Sequence, residues 1–270
     1  MDSTAVMAPR LACVTMIDPG LSQKTILVTG GATNIGAAIS RAFAEQGARV
    51  VVHYPPGEAS AGPHGHTASD ARAFVSSLPG AMGIAEDFLT PGAAGRLMET
   101  LEKRVGAVDV LINNAALANE ADTFGSLDDT GMEQTLRVNT MAPALLIAEM
   151  SRRVPENAPP GSASVVNIST DAARGFPGQV SYGMSKAALE SLTRGAAVDL
   201  GPRIRVNAVA PGPIQTGWMD DRLISQVIPG IPLKRVGDPT DIADACVFLA
   251  SHQARWITGQ VIQVAGGHWL

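Results

Sequence analysis

Thr25-Ile26-Leu27-Val28-Thr29-Gly30-Gly31-Ala32-Thr33-Asn34-Ile35-Gly36 is an apolar strand-like run that ends in glycines and then opens a helix. Glycines at such a turn let the backbone bend sharply and approach a pyrophosphate, whose charge the helix N-terminus stabilises. Alone, a Gly-rich strand-to-helix turn is a weak signal. Its context strengthens it, because a second β-branched run at 49–54 follows after one helical stretch, the spacing of a nucleotide-binding βαβ unit.

Working outward, strand-like runs recur at 25–29, 49–54, 83–86, 108–113, 164–170, 205–210 and 260–264. Amphipathic helical stretches separate them, at 35–46, 92–104, 132–153, 181–199 and 241–250. Several strands are continuous apolar runs (Val50-Val51-Val52, Val110-Leu111-Ile112), as a parallel sheet covered on both faces requires. The expectation is an α/β chain with a single doubly wound (Rossmann) parallel sheet of about seven strands and right-handed crossovers. No second domain or internal repeat is visible. Two Pro-rich segments, 55–67 and 155–162, read as surface loops.

Composition narrows the function. With 46% hydrophobic and 17% charged residues, the 270-residue chain can bury a large core and is not globally disordered. A net charge of −5 and scattered basic residues argue against a nucleic-acid face. Cys13 and Cys246 fit no metal spacing and read as reduced thiols. His64 and His66 lie in a loop without a carboxylate or cysteine cluster, so no metal site is expected. The apolar segment 11–17 is too short to span a membrane and lacks the basic start of a signal peptide. Residues 1–23 are taken as an extension, 24–270 as the domain, and the protein as cytoplasmic, with no membrane partner.

The chemistry is expected at Tyr182-Gly183-Met184-Ser185-Lys186. Residues i and i+4 of a helix share a face, so phenol and ammonium can point into one cleft. A nearby ammonium stabilises phenolate and lowers the Tyr pKa from its usual ~10, giving an acid/base usable near neutrality. With two tyrosines and four lysines in the chain, a chance Tyr-x-x-x-Lys has a probability of about 0.03. The pair follows, by one loop, a strand run ending in Ser169-Thr170.

In this combination the chain resembles the short-chain dehydrogenase/reductase family, from about Lys24 to its C-terminus. The family's elements occur in order. They are the Thr29–Gly36 loop, Asp87, Asn113-Asn114-Ala115-Ala116, Val138-Asn139, Ser169-Thr170, Tyr182-x-x-x-Lys186, the segment 210–216, and 235–239 through Gly266-Gly267. The resemblance implies an NAD(P)-dependent oxidoreductase that interconverts a small-molecule carbonyl and alcohol. Tyr182 would be the general acid/base, Lys186 would lower its pKa and hold the nicotinamide ribose, and Asn139 would anchor a water that links Lys186 to solvent. A strand-end hydroxyl would orient the substrate oxygen. Gly30, Thr33, Asn34, Ile35 and Gly36 would face the pyrophosphate, Asp87 the adenine, and Asn113 and Ala115 the adenosine half. Pro211, Gly212, Ile214 and Thr216 would hold the carboxamide end. Members of the family are typically dimers or tetramers, burying the long helices at 132–153 and 181–199. Broad similarity to 3-oxoacyl-carrier-protein reductase-like members does not fix the substrate.

Four positions depart from the family pattern or leave a choice. Asn34 replaces a usual glycine, and Ala265 replaces a frequent Asp. Distance from the tyrosine points to Ser169 as the hydroxyl, whereas counting from Asn167 along the strand points to Thr170; strand alternation lets only one serve, and strand geometry favours Thr170. The second strand closes on His53-Tyr54-Pro55-Pro56, with neither the acid that selects NAD nor the base that selects NADP. His53 and Tyr54 resemble NADP-preferring members, so NADP(H) is weakly favoured over NAD(H). The segment 216–232 reads as a lid over a small, partly apolar substrate, with Trp218 and Met219 as candidate lining. Two other classes compete, a silent nucleotide sensor and a non-redox dehydratase; intact Tyr182, Lys186 and Asn139 argue against the sensor.

Overall fold

Short β-branched runs make the strands. In the computed structural model, which describes residues 18–57, 67–119, 122–175, 177–217 and 219–269, they are β1 (Thr25–Val28), β2 (Arg49–Tyr54), β3 (Met82–Ala85), β4 (Val110–Asn113), β5 (Ala163–Ile168), β6 (Ile204–Pro211) and β7 (Val261–Val264). They form one parallel sheet in the order β3-β2-β1-β4-β5-β6-β7. The helices are α1 (Asn34–Glu45), α2 (Ala68–Ser77), α3 (Ala93–Val105), α4 (Asp129–Leu136), α5 (Ala142–Arg153), α6 (Val180–Leu200), α7 (Asp221–Val227) and α8 (Pro239–Ala250). Cys13, His64, His66, Trp218 and residues 1–17 of the extension lie outside the described residues.

Strand alternation sorts the core into two layers. Ile26, Val28, Val50, Val52, Val110, Ile112, Val166 and Ile168 pack with Ile39 and Phe43 of α1 and with Ile242, Cys246 and Leu249 of α8. The intervening Leu27, Val51, Leu111 and Val165 pack with Leu97 and Leu101 of α3, Leu146 and Met150 of α5, and Ala196 and Ala197 of α6. Each fully buried side chain of this size contributes about 1.5–3 kcal/mol of transfer free energy. Because α1 and α8 cover one face while α3, α5 and α6 cover the other, the β-branched runs are apolar at every position.

The chain order reverses at β1. It steps outward to β3 and then crosses back to lay β4 on the free side of β1. Beyond the carboxyl ends of β1 and β4 the connections diverge, which opens the crevice where doubly wound sheets bind ligands. Both the glycine loop after β1 and Asn114 after β4 border that crevice.

Two helices differ from the periodicity reading. The helix α2 is not among the stretches that periodicity picks out, since the Pro- and Gly-rich residues before it mask its start. Its signal was the capping box Thr67-x-x-Asp70, in which Thr67 Oγ1 accepts from the Asp70 amide and the Asp70 carboxylate accepts from Thr67 N. The stretch 132–153 is not one helix. A π-helical turn, Arg137–Met141, separates α4 from α5, and such turns concentrate at functional sites. The lid segment contains α7, which buries none of its residues and is capped by Asp220. Among the described residues no helix is long and apolar enough to cross a membrane.

Candidate active site

The glycine loop is shaped by close approach. Gly30 has φ +58°, and a Cβ on Gly36 would lie 2.1 Å from the Gly30 carbonyl oxygen. Asn34 takes φ 48° where the family prefers glycine, a conformation Asn tolerates better than most residues. Thr33 precedes α1 without a side-chain cap, and no acidic residue occupies the first turn. The first amides of α1 therefore keep their capacity for an anion, and no side chain fills the approach. Asn34, Ile35 and Gly36 supply those amides. This cradle fits the pyrophosphate of a dinucleotide.

The loop is tied to β4. Asn114 Nδ2 donates to the Thr29 and Gly30 carbonyls at 2.9 and 3.0 Å, and Thr29 Oγ1 accepts from the Asn114 and Ala115 amides. Asn114 was missed as a site residue; the Asn-Asn pair after an apolar strand was its only local sign. Asn113 braces the sheet, donating from Nδ2 to Asn167 Oδ1 at 2.8 Å. Asp87 Oδ1 accepts from the Leu89 amide at 2.9 Å and caps a turn.

His53 and Tyr54 do not present themselves as expected. His53 is 2% exposed; Nδ1 accepts from the Gly30 amide at 3.2 Å, and Nε2–H donates to the Glu86 carbonyl at 2.9 Å. Its ring stacks on Phe88 with centroids 4.2 Å apart. Burial drives its pKa down to about 4, outweighing the Glu86 hydrogen bond and the Glu86 and Asp87 charges. The neutral ring thus has no free nitrogen for a 2′-phosphate and instead shapes the glycine loop. Tyr54 is buried as well, lying over Gly83.

At the chemical end, α6 presents Tyr182 and Lys186 one turn apart. Lys186 is 1% exposed, donates from Nζ to the Ile168 carbonyl at 2.7 Å, and lies 5.7 Å from the Tyr182 ring centroid. Burial pushes Lys186 down to about 8. Tyr182 is pushed up to about 12, by loss of water first and by the Asp171 carboxylate second. The expected lowering by the ammonium is therefore not present here. The Lys186 head turns toward the main chain of β5, and desolvation of the phenol dominates.

The two candidate hydroxyls separate. Ser169 is 2% exposed and donates to Glu190 Oε1 at 2.8 Å, on the α6 side of the sheet. Thr170 stands beyond β5, where its Oγ1 accepts from the Ala172 amide and donates to Asp171 Oδ1 at 3.3 Å, starting the 3-10 turn Asp171–Arg174. Asn139, inside the π-turn, is fully buried. Its side chain accepts from Leu117 N at 2.7 Å and donates to Leu117 O and Ser185 Oγ. Its side-chain amide is thus fully engaged with Leu117 and Ser185. Asp122, also missed, is 2% exposed and accepts from the Ser181 and Tyr182 amides at 2.8 and 2.9 Å, setting the first turn of α6. Nothing local to Asp122 in the sequence marks that role.

The segment expected at the carboxamide end is packed through small residues. A Cβ on Gly212 would lie 2.7 Å from that of Ala265, and one on Gly237 would lie 2.4 Å from Ile214 Cδ1. Pro211 ends β6, and Thr216 is partly accessible beyond it. Met219 is 5% exposed, and its carbonyl accepts from Gln215 Nε2.

A dinucleotide cradle at the switch point and a Tyr–Lys pair beside β5 together define a nicotinamide-dependent oxidoreductase. Residues 30–268 match the family model described as enoyl-(acyl carrier protein) reductase. An uncharacterized oxidoreductase of Mycobacterium tuberculosis is 35% identical over 261 residues, covering 92% of each chain. The human dehydrogenase/reductase SDR family member 4 is 37% identical over 268 residues, covering 94% of this chain and 90% of its own. A blue fluorescent protein from a metagenomic library, solved in complex with NADPH, superposes with a TM-score of 0.81 at 32% identity, covering 93% of this chain and 99% of its own. The chain belongs to the short-chain dehydrogenase/reductase family and is an NAD(P)-dependent oxidoreductase acting between CH–OH and C=O.

The lowered His53 pKa has a consequence for stability. An unfolded His titrates at 6.5 and this one at about 4, so the stability it contributes is complete above pH ~6.5 and is lost as pH falls toward ~4. Between pH ~7 and ~5 this loss amounts to about 2 kcal/mol. Urea unfolding at the two pH values should show that difference for the wild type and a smaller one for His53→Gln. Equal pH dependence in both proteins would mean that His53 is not held neutral.

Proposed function

We propose that the enzyme reduces a carbonyl of a small, partly apolar molecule, or oxidises the matching alcohol, with Tyr182 as the general acid/base. The observation carrying this reading is the convergence of Tyr182, Lys186 and the end of β5, where Lys186 is anchored to Ile168 only two residues before Thr170. Thr170 orients the substrate oxygen, because it is partly accessible beyond β5 whereas Ser169 is buried against Glu190. Lys186, at about 8, stays mostly protonated near neutrality and stabilises phenolate as it forms. A water on the Asn139 main-chain carbonyl would return protons to Lys186 from solvent. When bound, the nicotinamide supplies or accepts the hydride. The α1 amides with Gly30, Thr33, Asn34, Ile35 and Gly36 hold the pyrophosphate, Asp87, Asn113 and Ala115 flank the adenosine half, and Pro211, Gly212, Ile214 and Thr216 hold the carboxamide end. Met219, from the lid, lines the substrate side.

The cofactor is NADP(H) in preference to NAD(H), by a modest margin. Support comes from β2, which closes on Tyr54-Pro55-Pro56 with no carboxylate to repel a 2′-phosphate, and from the NADPH held by the structural relative. His53 contributes only through the Gly30 amide. The protein acts in the cytoplasm as a homodimer or homotetramer. Exposed apolar side chains on α5 and α6 (Leu145, Met184 and Val198, the last 82% exposed) support burial of those helices between subunits.

Three outcomes test this reading. Tyr182→Phe should lower turnover by at least ~10²-fold while cofactor binding, followed by NADPH fluorescence, stays near wild type; turnover within a few-fold of wild type would overturn the general-acid assignment. Thr170→Val should cripple kcat and Ser169→Ala should leave it nearly unchanged, and the reverse ranking would transfer the orienting role to Ser169. Side-by-side kinetics at 340 nm should give about ten-fold higher kcat/KM with NADPH than with NADH, or ~1.4 kcal/mol, and Pro55→Arg should widen the ratio. A wild-type preference for NADH would sink the cofactor reading and leave the reaction class intact.

A further inference from the structure

One more pair of ionisable side chains lies beside Thr170 and acts on Tyr182. Asp171 follows Thr170 directly and uses both carboxylate oxygens. Oδ1 accepts from Thr170 Oγ1 at 3.3 Å, and Oδ2 lies 2.6 Å from His268 Nδ1. The side chains of His268 and Asp171 are only 11% and 10% exposed. His268 comes from the segment after β7, which is fixed by the Leu233 amide donating to the Gly266 carbonyl and by the His268 amide donating to the Ala265 carbonyl. The turn carrying Asp171 presses on α6 beside the tyrosine, where a Cβ on Gly183 would lie 2.9 Å from the Ala172 carbonyl oxygen. Behind burial, the Asp171 carboxylate is also a cause of the raised Tyr182 pKa, and it opposes phenolate.

A proton donor on the outer oxygen of Asp171 draws that charge away from the phenol and fixes the carboxylate that receives the Thr170 hydroxyl. We propose that His268 is a positioning residue for the reaction, holding Asp171 so that the Thr170 turn keeps its shape and the Asp171 charge on Tyr182 is partly offset. This rests on the roles of Tyr182 and Thr170 proposed above. The other charged groups around the phenol have partners of their own. Lys186 is on the Ile168 carbonyl, Asp122 on the Ser181 and Tyr182 amides, Arg174 on Gln263, and Glu190 on Ser169. His268 is therefore the side chain that compensates Asp171.

The test is the pH profile of kcat/KM for alcohol oxidation, whose rising limb follows formation of the phenolate. H268A leaves Asp171 uncompensated and should move that limb upward by about one pH unit, so that rates on the limb fall roughly ten-fold. D171N removes the charge and should move the limb downward, and the H268A/D171N double variant should follow D171N. H268N, whose side-chain amide can still donate, should lie between wild type and H268A. Loss of rate in both single variants without opposite displacements would reduce the pair to a packing contact and overturn the proposal. Should H268A not fold, D171N decides alone, since a limb that stays in place or moves upward overturns it. Failure of the underlying reading is distinguishable: an active Tyr182→Phe removes the tyrosine as base, whereas an inactive Tyr182→Phe with an unmoved limb in H268A removes only the role of His268.

Discussion

Where β1 and β4 part at their carboxyl ends, Thr29 and Asn114 bond each other through main chain and side chain alike. Two parallel strands diverging there would leave amides and carbonyls without ladder partners, and buried groups of that kind cost about 1–3 kcal/mol each. The Asn114 carboxamide satisfies the carbonyls of Thr29 and Gly30, and the Thr29 hydroxyl satisfies the amides of Asn114 and Ala115. Because Gly30 is held this way, Gly36 can close on it to within a distance that no Cβ permits. His53 fixes the same loop from the β2 side through the Gly30 amide. The crevice is thus kept open by polar contacts at its base, while the apolar layers of the sheet hold everything beneath it.

The electrostatics of the Tyr–Lys pair show why a motif argument covers half of the problem. Spacing on a helix brings phenol and ammonium to one face, and their attraction alone would favour phenolate. The same packing withdraws both groups from water, which disfavours the charged form of each. Tyr182 moves up and Lys186 moves down, with burial the leading cause in both. Desolvation of this kind shifts buried groups by up to 3–5 units, comparable to anything a single neighbouring charge supplies. Burial therefore holds the phenol protonated and outweighs what the helix spacing alone would suggest.

Features generated by local periodicity were legible in the sequence. Strand β2 matches its expected limits, and α1, α3, α6 and α8 lie within two residues of theirs. What was not legible depends on partners remote along the chain. Asn114 meets Thr29 at a separation of 85 residues, Asp122 meets Ser181 at 59, and His268 meets Asp171 at 97. The two hydroxyls are of the same kind, since strand alternation sets them on opposite faces but the partner of Ser169, Glu190, comes from α6. His53 read as a cofactor contact at a strand end because neither Glu86 nor Phe88, which enclose it, can be placed from its own neighbourhood.

The π-turn at Arg137–Met141 places a constraint of a different sort on the protein. Such a turn holds one residue more than an α-helical turn, and each residue of an α-helix advances the side chains by about 100°. Removing one residue between α4 and α5 would let the ladder close as ordinary α-helix with α5 kept nearly in register, because the wider turn already absorbs the rotation of its extra residue. Leu146, Ile147 and Met150 would keep the core layer they share with Leu111 and Val165, while the widened turn that presents Asn139 to Leu117 would be lost. A substitution at the exposed Met141 costs at most a side chain. The extra residue thus serves the placement of Asn139 and not the packing of α5, so a single-residue deletion here should spare stability more than it spares the site.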